Sequence, residues 1–310
     1  MWLTVTEFFP LILAYAAPML VTSLGGLYSE RSGVTNIGLE GLMLVGCFAS
    51  AVTIKLTEAT LGANSLPVGL LVGVGAGALL SLLHAVASIH FHSDQMLSGM
   101  AINMLAGALT LFLANTLLGS TIVRVPMSIV QTSIPFFSRI PIIGPLFFSK
   151  SYWTTWMSLL IWALSWILLY RTSFGLRLRA CGEHPSAVAS AGVNVALMRY
   201  FGVVISGALA GLGGAIILVT YSGEFNGTVA GVGFLSLAAL VFGQRKPLGI
   251  LGTTFIFGMA TAIADNPQGV PLFHSLSPAL CKMLPYLVAL LALVIFSRKS
   301  REPKAMGDQL

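Results

Sequence analysis

The sequence predicts an all-α fold, a polytopic bundle of transmembrane helices, from its composition, its hydropathy and its long apolar runs. The 310 residues are 56% hydrophobic and 8% charged, whereas soluble domains average about 25% charged residues. The mean hydropathy is +0.91. These values exclude an ordinary water-soluble globule, a disordered chain and a small disulfide-stapled secreted domain.

The candidate spans are runs of about 20 apolar residues, long enough to cross the hydrocarbon core of a bilayer. In chain order they lie near 8–28, 37–57, 66–90, 95–118, 153–170, 199–220, 230–243, 248–266 and 279–297. We therefore expect about eight to ten crossings. The run 230–243 is short and flanked by glycines, so a tilted or broken helix is expected there.

The first apolar run follows Glu7 without any preceding Lys or Arg. A signal peptide begins with a positively charged region, so we expect this run to be retained as a span. Many glycines lie inside later spans, as in 73–77 and 207–214. Small residues let helix backbones approach closely in a membrane, so tight packing is their expected role.

The net charge of +6 is concentrated in short segments between spans, so no nucleic-acid partner is expected. Basic residues cluster in 171–199, at Arg245-Lys246 and in the tail from Arg298 to Lys304. Loops on the cytoplasmic side carry an excess of Lys and Arg. We therefore expect these three segments, including the C-terminus, on that side. Counting back over nine spans, we expect the N-terminus outside.

A polar cluster between the first two apolar runs holds Glu30, Arg31, Asn36 and Glu40. Glu30 and Arg31 are open to a plain interpretation as solvated loop residues. Carboxylates and amides near a membrane are costly unless they are paired or face water. Asn36 and Glu40 are therefore expected to line a pathway or to hold helices together.

The span beginning near residue 95 carries two further polar side chains. Asp94 precedes its first turn, where the helix dipole favours an anion. Asn103 lies inside the span, and a buried amide needs a partner or a polar ligand. A hydrogen bond between helices and a place in a solute pathway both remain open for Asn103.

The connection 119–152 is rich in proline and phenylalanine. Pro126, Pro135, Pro141 and Pro145 interrupt Phe136, Phe137, Phe147 and Phe148, and the basic residues are Arg124, Arg139 and Lys150. An ordered external cap or re-entrant piece that contacts a partner outside the membrane is one interpretation. A plain loop is the other.

The basic segment 171–198 contains a predicted short helix that begins at Glu183, His184 and Pro185, because proline suits the first helical turn. Gly192 ends the helix. Its surface is small and mildly apolar, which suits docking in a groove of another protein. Binding of lipid headgroups at the membrane surface is the alternative.

No motif for catalysis is visible in the chain. A phosphate-binding Gly-x-x-x-x-Gly-Lys-[Ser/Thr] loop and a Gly-x-Ser-x-Gly nucleophile turn are both absent from the sequence. His90 and His92 do not share a helix face, so no metal site is expected. Cys47, Cys181 and Cys281 are expected to be small hydrophobic residues without a redox role.

Four motifs carry a family resemblance that extends over residues 8–297. They are Arg31-Ser-Gly-Val-Thr-Asn-Ile-Gly-Leu-Glu-Gly41, Ser98-Gly-Met-Ala-Ile-Asn103, Gly175-Leu-Arg-Leu-Arg-Ala-Cys-Gly-Glu-His-Pro-Ser-Ala-Val-Ala-Ser-Ala-Gly192 and Gly243-Gln-Arg-Lys-Pro-Leu-Gly249. The chain resembles an inner-membrane permease of ABC transporters for branched-chain amino acids, ribose and nucleosides. Its Asn-Ile-Gly-Leu-Glu-Gly run is most similar to the nucleoside, or simple-sugar, importers.

The resemblance implies one permease domain over residues 1–310 in a bacterial cytoplasmic membrane, without ATPase activity or a cofactor of its own. It implies three protein partners: an ATP-binding subunit on the cytoplasmic side that binds the ATP, a second, usually non-identical permease beside this chain in the membrane lipid, and an extracytoplasmic substrate-binding protein, often a lipoprotein. Mapped onto this chain, Gly182, Glu183, His184, Pro185, Ala187 and Gly192 belong to the helix that couples to the ATPase. Asn36, Glu40 and Asn103 become the candidates for the translocation path.

Competing functions differ in the polar residues that they require. An ion-coupled secondary transporter needs ionisable residues in mid-span, yet Asp265, Glu224 and Lys282 fall near span ends and leave Glu40 almost alone. A scaffolding membrane subunit needs no polar residues inside its spans, so Asn103 and the polar cluster 30–41 argue against that class. A membrane enzyme needs a nucleophile paired with a base, and the sequence shows no such pair. Ribose-like sugars and branched-chain amino acids remain alternatives to nucleosides as substrates.

Overall fold

The computed structural model describes residues 2–125, 129–133, 138, 140–141, 144–269, 277–296 and 303–307. Several residues named above therefore lie outside the described residues: Pro126, Pro135, Phe136, Phe137, Arg139, Arg298, Lys299 and Arg301. The described chain consists of α-helices with one short two-stranded sheet, so the all-α prediction is confirmed.

The helices follow one another in this order: α1 Trp2–Ser32, α2 Leu39–Leu61, α3 Ser65–Ala85, α4 Gln95–Leu118, α5 Trp153–Arg171, α6 Ser173–Glu183, α7 Pro185–Ser190, α8 Val195–Ile217, α9 Val232–Phe242, α10 Pro247–Asp265, α11 Pro278–Cys281 and α12 Leu284–Phe296. Short π-helical turns, Val86–His90 and Leu218–Ser222, continue α3 and α8. Strand β1, Val123–Arg124, pairs antiparallel with β2, Glu224–Phe225.

Six helical stretches among the described residues are long and apolar enough to cross a membrane. One of them, Leu39–His90, has 52 residues and folds back on itself at Gly62–Asn64. The Ser50 hydroxyl on α2 donates to the Gly69 carbonyl on α3 at 2.7 Å, so this stretch is an antiparallel helix pair. Two shorter apolar helices, Val232–Phe242 and Ala279–Val294, accompany the six.

Glycine contacts hold the centre of the bundle together, as the sequence predicts. A Cβ atom added to Gly46 or Gly77 would overlap the backbone of α8 near Gly211 or Gly207. A Cβ on Gly214 would overlap the Met43 carbonyl on α2. Lipid supplies no hydrophobic driving force between helices, so their association depends on close packing. The close backbone approach that glycine permits therefore offsets its cost in these helices.

The two ends of the bundle differ in what they collect. At one end, which we call the basic end, the described tail contacts the end of α1 and the end of α6: Gly307 N–H donates to Gly33 O at 3.2 Å and Ala305 N–H to Gly182 O at 2.9 Å. At the opposite end, Lys150 pairs with Glu7 at 3.3 Å. The described part of the 119–152 connection around Lys150 therefore lies at the same end as the first turns of α1.

Glu30 and Arg31 are not solvated loop residues, which corrects the plain interpretation given above. Helix α1 continues to Ser32, and Glu30 is buried in an ion pair with Arg245, at 2.5 Å from Nε to Oε2. Arg31 donates to the Arg245 carbonyl at 2.7 Å. The reason is the turn between α9 and α10, which brings a buried guanidinium to the end of α1.

Candidate translocation site and coupling segment

Two segments interrupt the helical backbone inside the bundle. The first break, residues 33–38, separates α1 from α2, and the second break, residues 223–231, separates the end of α8 from α9. The first break returns into the bundle, because Leu39 packs beside Gly26, about 9 Å along α1 from Ser32. Irregular backbone at such depth requires partners for its polar groups, since lipid offers none.

Side chains from three other helices satisfy the first break. Gln95 accepts from Thr35 N–H at 2.6 Å, and His84 Nε2 lies 3.1 Å from the Thr35 carbonyl. Because a carbonyl only accepts, His84 donates from Nε2, and its Nδ1 accepts from the Ser98 hydroxyl at 2.9 Å. Asn36 accepts from Gly38 N–H and donates to the Ser206 hydroxyl on α8, each at 3.0 Å.

Asn103 fixes the start of α2 from the neighbouring helix α4. Its carbonyl oxygen accepts from Gly41 N–H at 2.7 Å, and its amide donates to Ile37 O at 3.1 Å. Helix α4 is itself started by Asp94, whose carboxylate accepts from Met96 N–H and Leu97 N–H. The expected anion at this helix terminus is therefore confirmed.

Glu40 joins the two breaks. Its carboxylate accepts from Gly231 N–H at 2.9 Å and from Gly233 N–H at 2.7 Å, at the start of α9. The first turn of a helix exposes backbone donors and carries partial positive charge, so a carboxylate suits this position. The run 230–243, for which we expected a tilted or broken helix, is thus an 11-residue helix that begins inside the bundle.

The three residues predicted for the translocation path lie together around the first break. Asn36 is buried, with 1% of its surface exposed, whereas Glu40 and Asn103 are half-buried. Sequence reasoning missed the other members of the cluster, His84, Gln95 and Ser206. A histidine and a glutamine at the ends of apolar helices were the available signals, but their partners are distant in the chain.

The coupling segment consists of two helices, which corrects the prediction of a single helix over 182–192. Gly182 and Glu183 are the last residues of α6, and α7 begins at Pro185. His184 has φ −147° and ψ 77°, because proline disfavours helical backbone in the residue before it. Glu183 therefore does not support the first turn of α7. Gly192, with φ +78°, follows the helix as expected.

The outer surface of this segment is a shallow groove between α6 and α7. Its lining includes Leu176, Ala180, Ala187, Val188 and Ala191, with Arg177, Glu183 and His184 beside them. Ala187 is exposed, whereas Val188 anchors α7 against the protein. The surface is small and mildly apolar, as predicted from the sequence.

Gly182 and Cys181 face inward. A Cβ on Gly182 would lie 2.6 Å from the Arg31 carbonyl, so this position requires glycine. Burial raises the pKa of the Cys181 thiol, although the nearby Arg199 charge partly opposes this. The thiol is therefore protonated at neutral pH and unreactive, and Cys47 and Cys281 are buried free cysteines as well.

The comparison with known families matches residues 9–293 to the permease component of the branched-chain amino acid transport system. The chain belongs to this permease family. The resemblance inferred from its four motifs is therefore confirmed, and the chain is a multi-pass membrane protein.

Two relatives and one solved structure illustrate the match. The guanosine ABC transporter permease NupQ of Bacillus subtilis is 44% identical over 300 residues, covering 96% of this chain and 94% of the relative. The nucleoside ABC transporter permease NupC of Lactococcus lactis is 37% identical, with the same two coverages. An inward-facing metal-chelate type ABC transporter has the same fold, with a TM-score of 0.52 at 17% identity over 94% of this chain and 85% of its own.

Proposed function

We propose that this permease is the membrane-spanning subunit of an ATP-driven importer that carries nucleosides into the cytoplasm. The observation that carries the proposal is full-length similarity to two permeases named for guanosine and nucleoside transport. The joined backbone breaks support it, because discontinuous helices are typical of solute sites in transporters. In this proposal Glu40 controls passage at the second break. Asn36 and Asn103 fix the backbone on either side of Glu40, in the first break and at the start of α2.

The importer assembles around this chain with partners on both sides of the membrane. An ATP-binding subunit docks in the groove of α6 and α7, where Ala187 lets its surface approach closely, and supplies all nucleotide hydrolysis. A second, non-identical permease lies beside the chain in the lipid, and an extracytoplasmic lipoprotein delivers the solute. The segment 171–199, the Arg245-Lys246 turn and the described tail residues 303–307 meet at the basic end, which supports a cytoplasmic location for that end, including the C-terminus, in a bacterial cytoplasmic membrane.

Enlarging Ala187 tests the docking site. Ala187→Trp fills the groove, so we expect loss of ATPase co-purification and of uptake with normal permease levels in the membrane. Ala189→Trp is the matched control, because Ala189 is exposed on the same helix and does not line the groove. A helix that only binds lipid predicts tighter membrane attachment for both variants, since tryptophan favours the interface. Retention of partner and transport by Ala187→Trp contradicts the docking site.

Cysteine labelling tests the orientation. Ser190 is exposed at the end of α7, and the native cysteines are buried, so Ser190→Cys provides a specific target. We expect a membrane-impermeant maleimide to label it in inside-out vesicles and not in intact cells. Labelling of intact cells reverses the orientation and removes the coupling segment from the ATPase side.

Uptake measurements test the substrate class. A deletion strain complemented with the complete importer should accumulate radiolabelled guanosine, and unlabelled nucleosides should compete. Ribose, free bases and branched-chain amino acids should compete weakly. Stronger competition by ribose or by a branched-chain amino acid assigns the importer to that substrate instead.

A further inference from the structure

A cavity of about 300 Å³ lies against the second break, on the side away from the basic end. Tyr15 in its wall is about 25 Å along α1 from Ser32. The remaining walls come from the end of α8, from α10 and from the α11–α12 region. Its volume falls at the lower end of the range of about 300–1,000 Å³ for small-molecule sites.

Three tyrosines contribute aromatic rings to the lining. Tyr15 and Tyr221 pack against each other with ring centroids 4.4 Å apart and an interplanar angle of 34°. Tyr286 belongs to α12 and is 50% exposed. Its hydroxyl donates to the Ala230 carbonyl at 3.3 Å, which places the ring beside the second break. An exposed aromatic face beside a cavity is available for stacking on a planar ligand.

The lining also carries polar side chains, and its two charged groups balance each other. Asn226 and Thr228 come from the second break and are exposed, while Asp265 ends α10 and Lys282 precedes α12. One carboxylate and one ammonium leave no excess charge for a phosphate or a carboxylate ligand. Amide, hydroxyl and carboxylate groups of this kind are suitable partners for the hydroxyls of a sugar.

We propose that this cavity holds the solute before it passes the second break, and that it selects a whole, uncharged nucleoside. The base stacks on Tyr286, and the sugar hydroxyls bind Asn226 and Asp265. The inference rests on the proposed function and adds to it a site and a reason for the substrate class. A sugar alone lacks the planar ring, and a nucleotide adds charge that the lining does not match.

The floor of the cavity connects this site to Glu40. Ala230 and Val232 line the cavity, and between them Gly231 donates its N–H to the Glu40 carboxylate. The same short stretch of backbone is thus in contact with the solute site on one side and with Glu40 on the other. Release of Glu40 from Gly231 and Gly233 frees the floor to move, which opens the way toward the basic end.

Substitution of Tyr286 tests the stacking role in the complete importer, reconstituted with its partners in proteoliposomes. We expect Tyr286→Ala to raise the KM for guanosine uptake about tenfold, as loss of a stacked aromatic does elsewhere. Tyr286→Phe keeps the ring and should remain near the wild-type value. Phe91→Ala is the control, because Phe91 is an exposed aromatic residue that does not line the cavity. An unchanged KM in Tyr286→Ala overturns the site.

Substitution of Asp265 tests the sugar contact. Asp265→Asn should weaken uptake of guanosine more than uptake of 2′-deoxyguanosine, because only guanosine presents the full vicinal diol. Equal effects on both nucleosides contradict the contact, since a general structural defect does not distinguish them.

Protection from labelling gives a readout independent of transport. Asn226→Cys should react with an impermeant maleimide in intact cells, and guanosine should slow the reaction in the presence of the binding protein, whereas ribose should not. Labelling at the same rate with guanosine overturns the site even if a tyrosine variant misfolds. Failure of the wild-type importer to accumulate any nucleoside contradicts the proposed function, whereas normal wild-type uptake with unaffected variants contradicts only the cavity.

Discussion

The two backbone breaks solve the same physical problem in different ways. The first break is buried, and its polar groups bind side chains from its own segment and from α3, α4 and α8. The second break contains the exposed residues Asn226, Thr228 and Ala230, and Glu40 reaches it from the first turn of α2. The first break is held by side chains from three helices, whereas the second is held by the pairing of β2 with β1, by the Tyr286 hydroxyl and by Glu40, beside a cavity.

This difference indicates which break is a joint of fixed geometry and which is suited to move. The polar groups of the first break are mostly buried and each has a partner, so a substitution that leaves several of them unpaired destabilises the fold. Ala230, Gly231, Gly227 and Gly223 of the second break all have positive φ. Of these four, Ala230 carries a side chain, for which the left-handed conformation costs about 1–2 kcal/mol, and strained residues are frequent at functional sites. Substitutions in the first break should therefore affect folding, and those in the second should affect transport.

The largest effect is expected for Asn36→Leu in the first break. The change keeps the size of the side chain but leaves Gly38 N–H and the Ser206 hydroxyl without this partner, at a cost of ~1–3 kcal/mol for each buried group. We expect a strong loss of permease from the membrane and a lower Tm of the purified protein. Asn115→Leu, at an exposed position on α4, is the control that should fold normally.

Glu40→Gln should be next in size and should change transport. The amide presents one acceptor and one donor where the carboxylate presents two acceptors, so Gly231 and Gly233 cannot both keep their hydrogen bonds. We expect uptake to fall about tenfold, in line with ~1–3 kcal/mol for one unsatisfied donor, at a normal membrane level. Glu58→Gln, at the far end of α2, is the control. A collapse of the protein level instead makes the second break a fixed joint like the first.

Gly231→Ala measures the strain in the second break. Gly231 has φ +77°, and an added Cβ would lie 2.7 Å from the Tyr286 hydroxyl. We expect the free energy of unfolding to fall by about 1–2 kcal/mol, together with reduced uptake. Gly119→Ala separates the two causes, because Gly119 has φ +66° and ψ 13° in the same left-handed region, with open space around it. Equal destabilisation of both variants shows that contact with Tyr286 contributes nothing.

Ser206→Ala should have the smallest effect. It removes one hydrogen bond to Asn36, worth about 0.5–1.5 kcal/mol, while Asn36 keeps Gly38 N–H. We expect a small decrease in Tm and unchanged uptake. A large loss of uptake at normal stability would assign transport to the first break as well and remove the contrast between the two.

Local patterns predict those parts of the molecule that depend on neighbouring residues. Apolar runs of sufficient length predict the long helices, because the bilayer imposes both the length and the polarity. Asp94 predicts the start of α4, because its carboxylate accepts from backbone N–H groups two and three residues later. Pro185 marks the first turn of α7, and its effect on His184 is also local, although the chain on the other side of His184 forms a second helix that the motif does not reveal.

Contacts between distant parts of the chain determine the site. Glu40 binds Gly231, which is 191 positions away in the chain, and Glu30 binds Arg245, which is 215 positions away. Neither pairing is visible as a local sequence pattern. The sequence by itself determined the membrane bundle, the basic segments and the polar residues that need partners, because burial in lipid makes each of these costly or favourable in isolation. Only the tertiary structure decided which partners they meet, because hydrogen bonds and ion pairs depend on distances that the packing of helices sets.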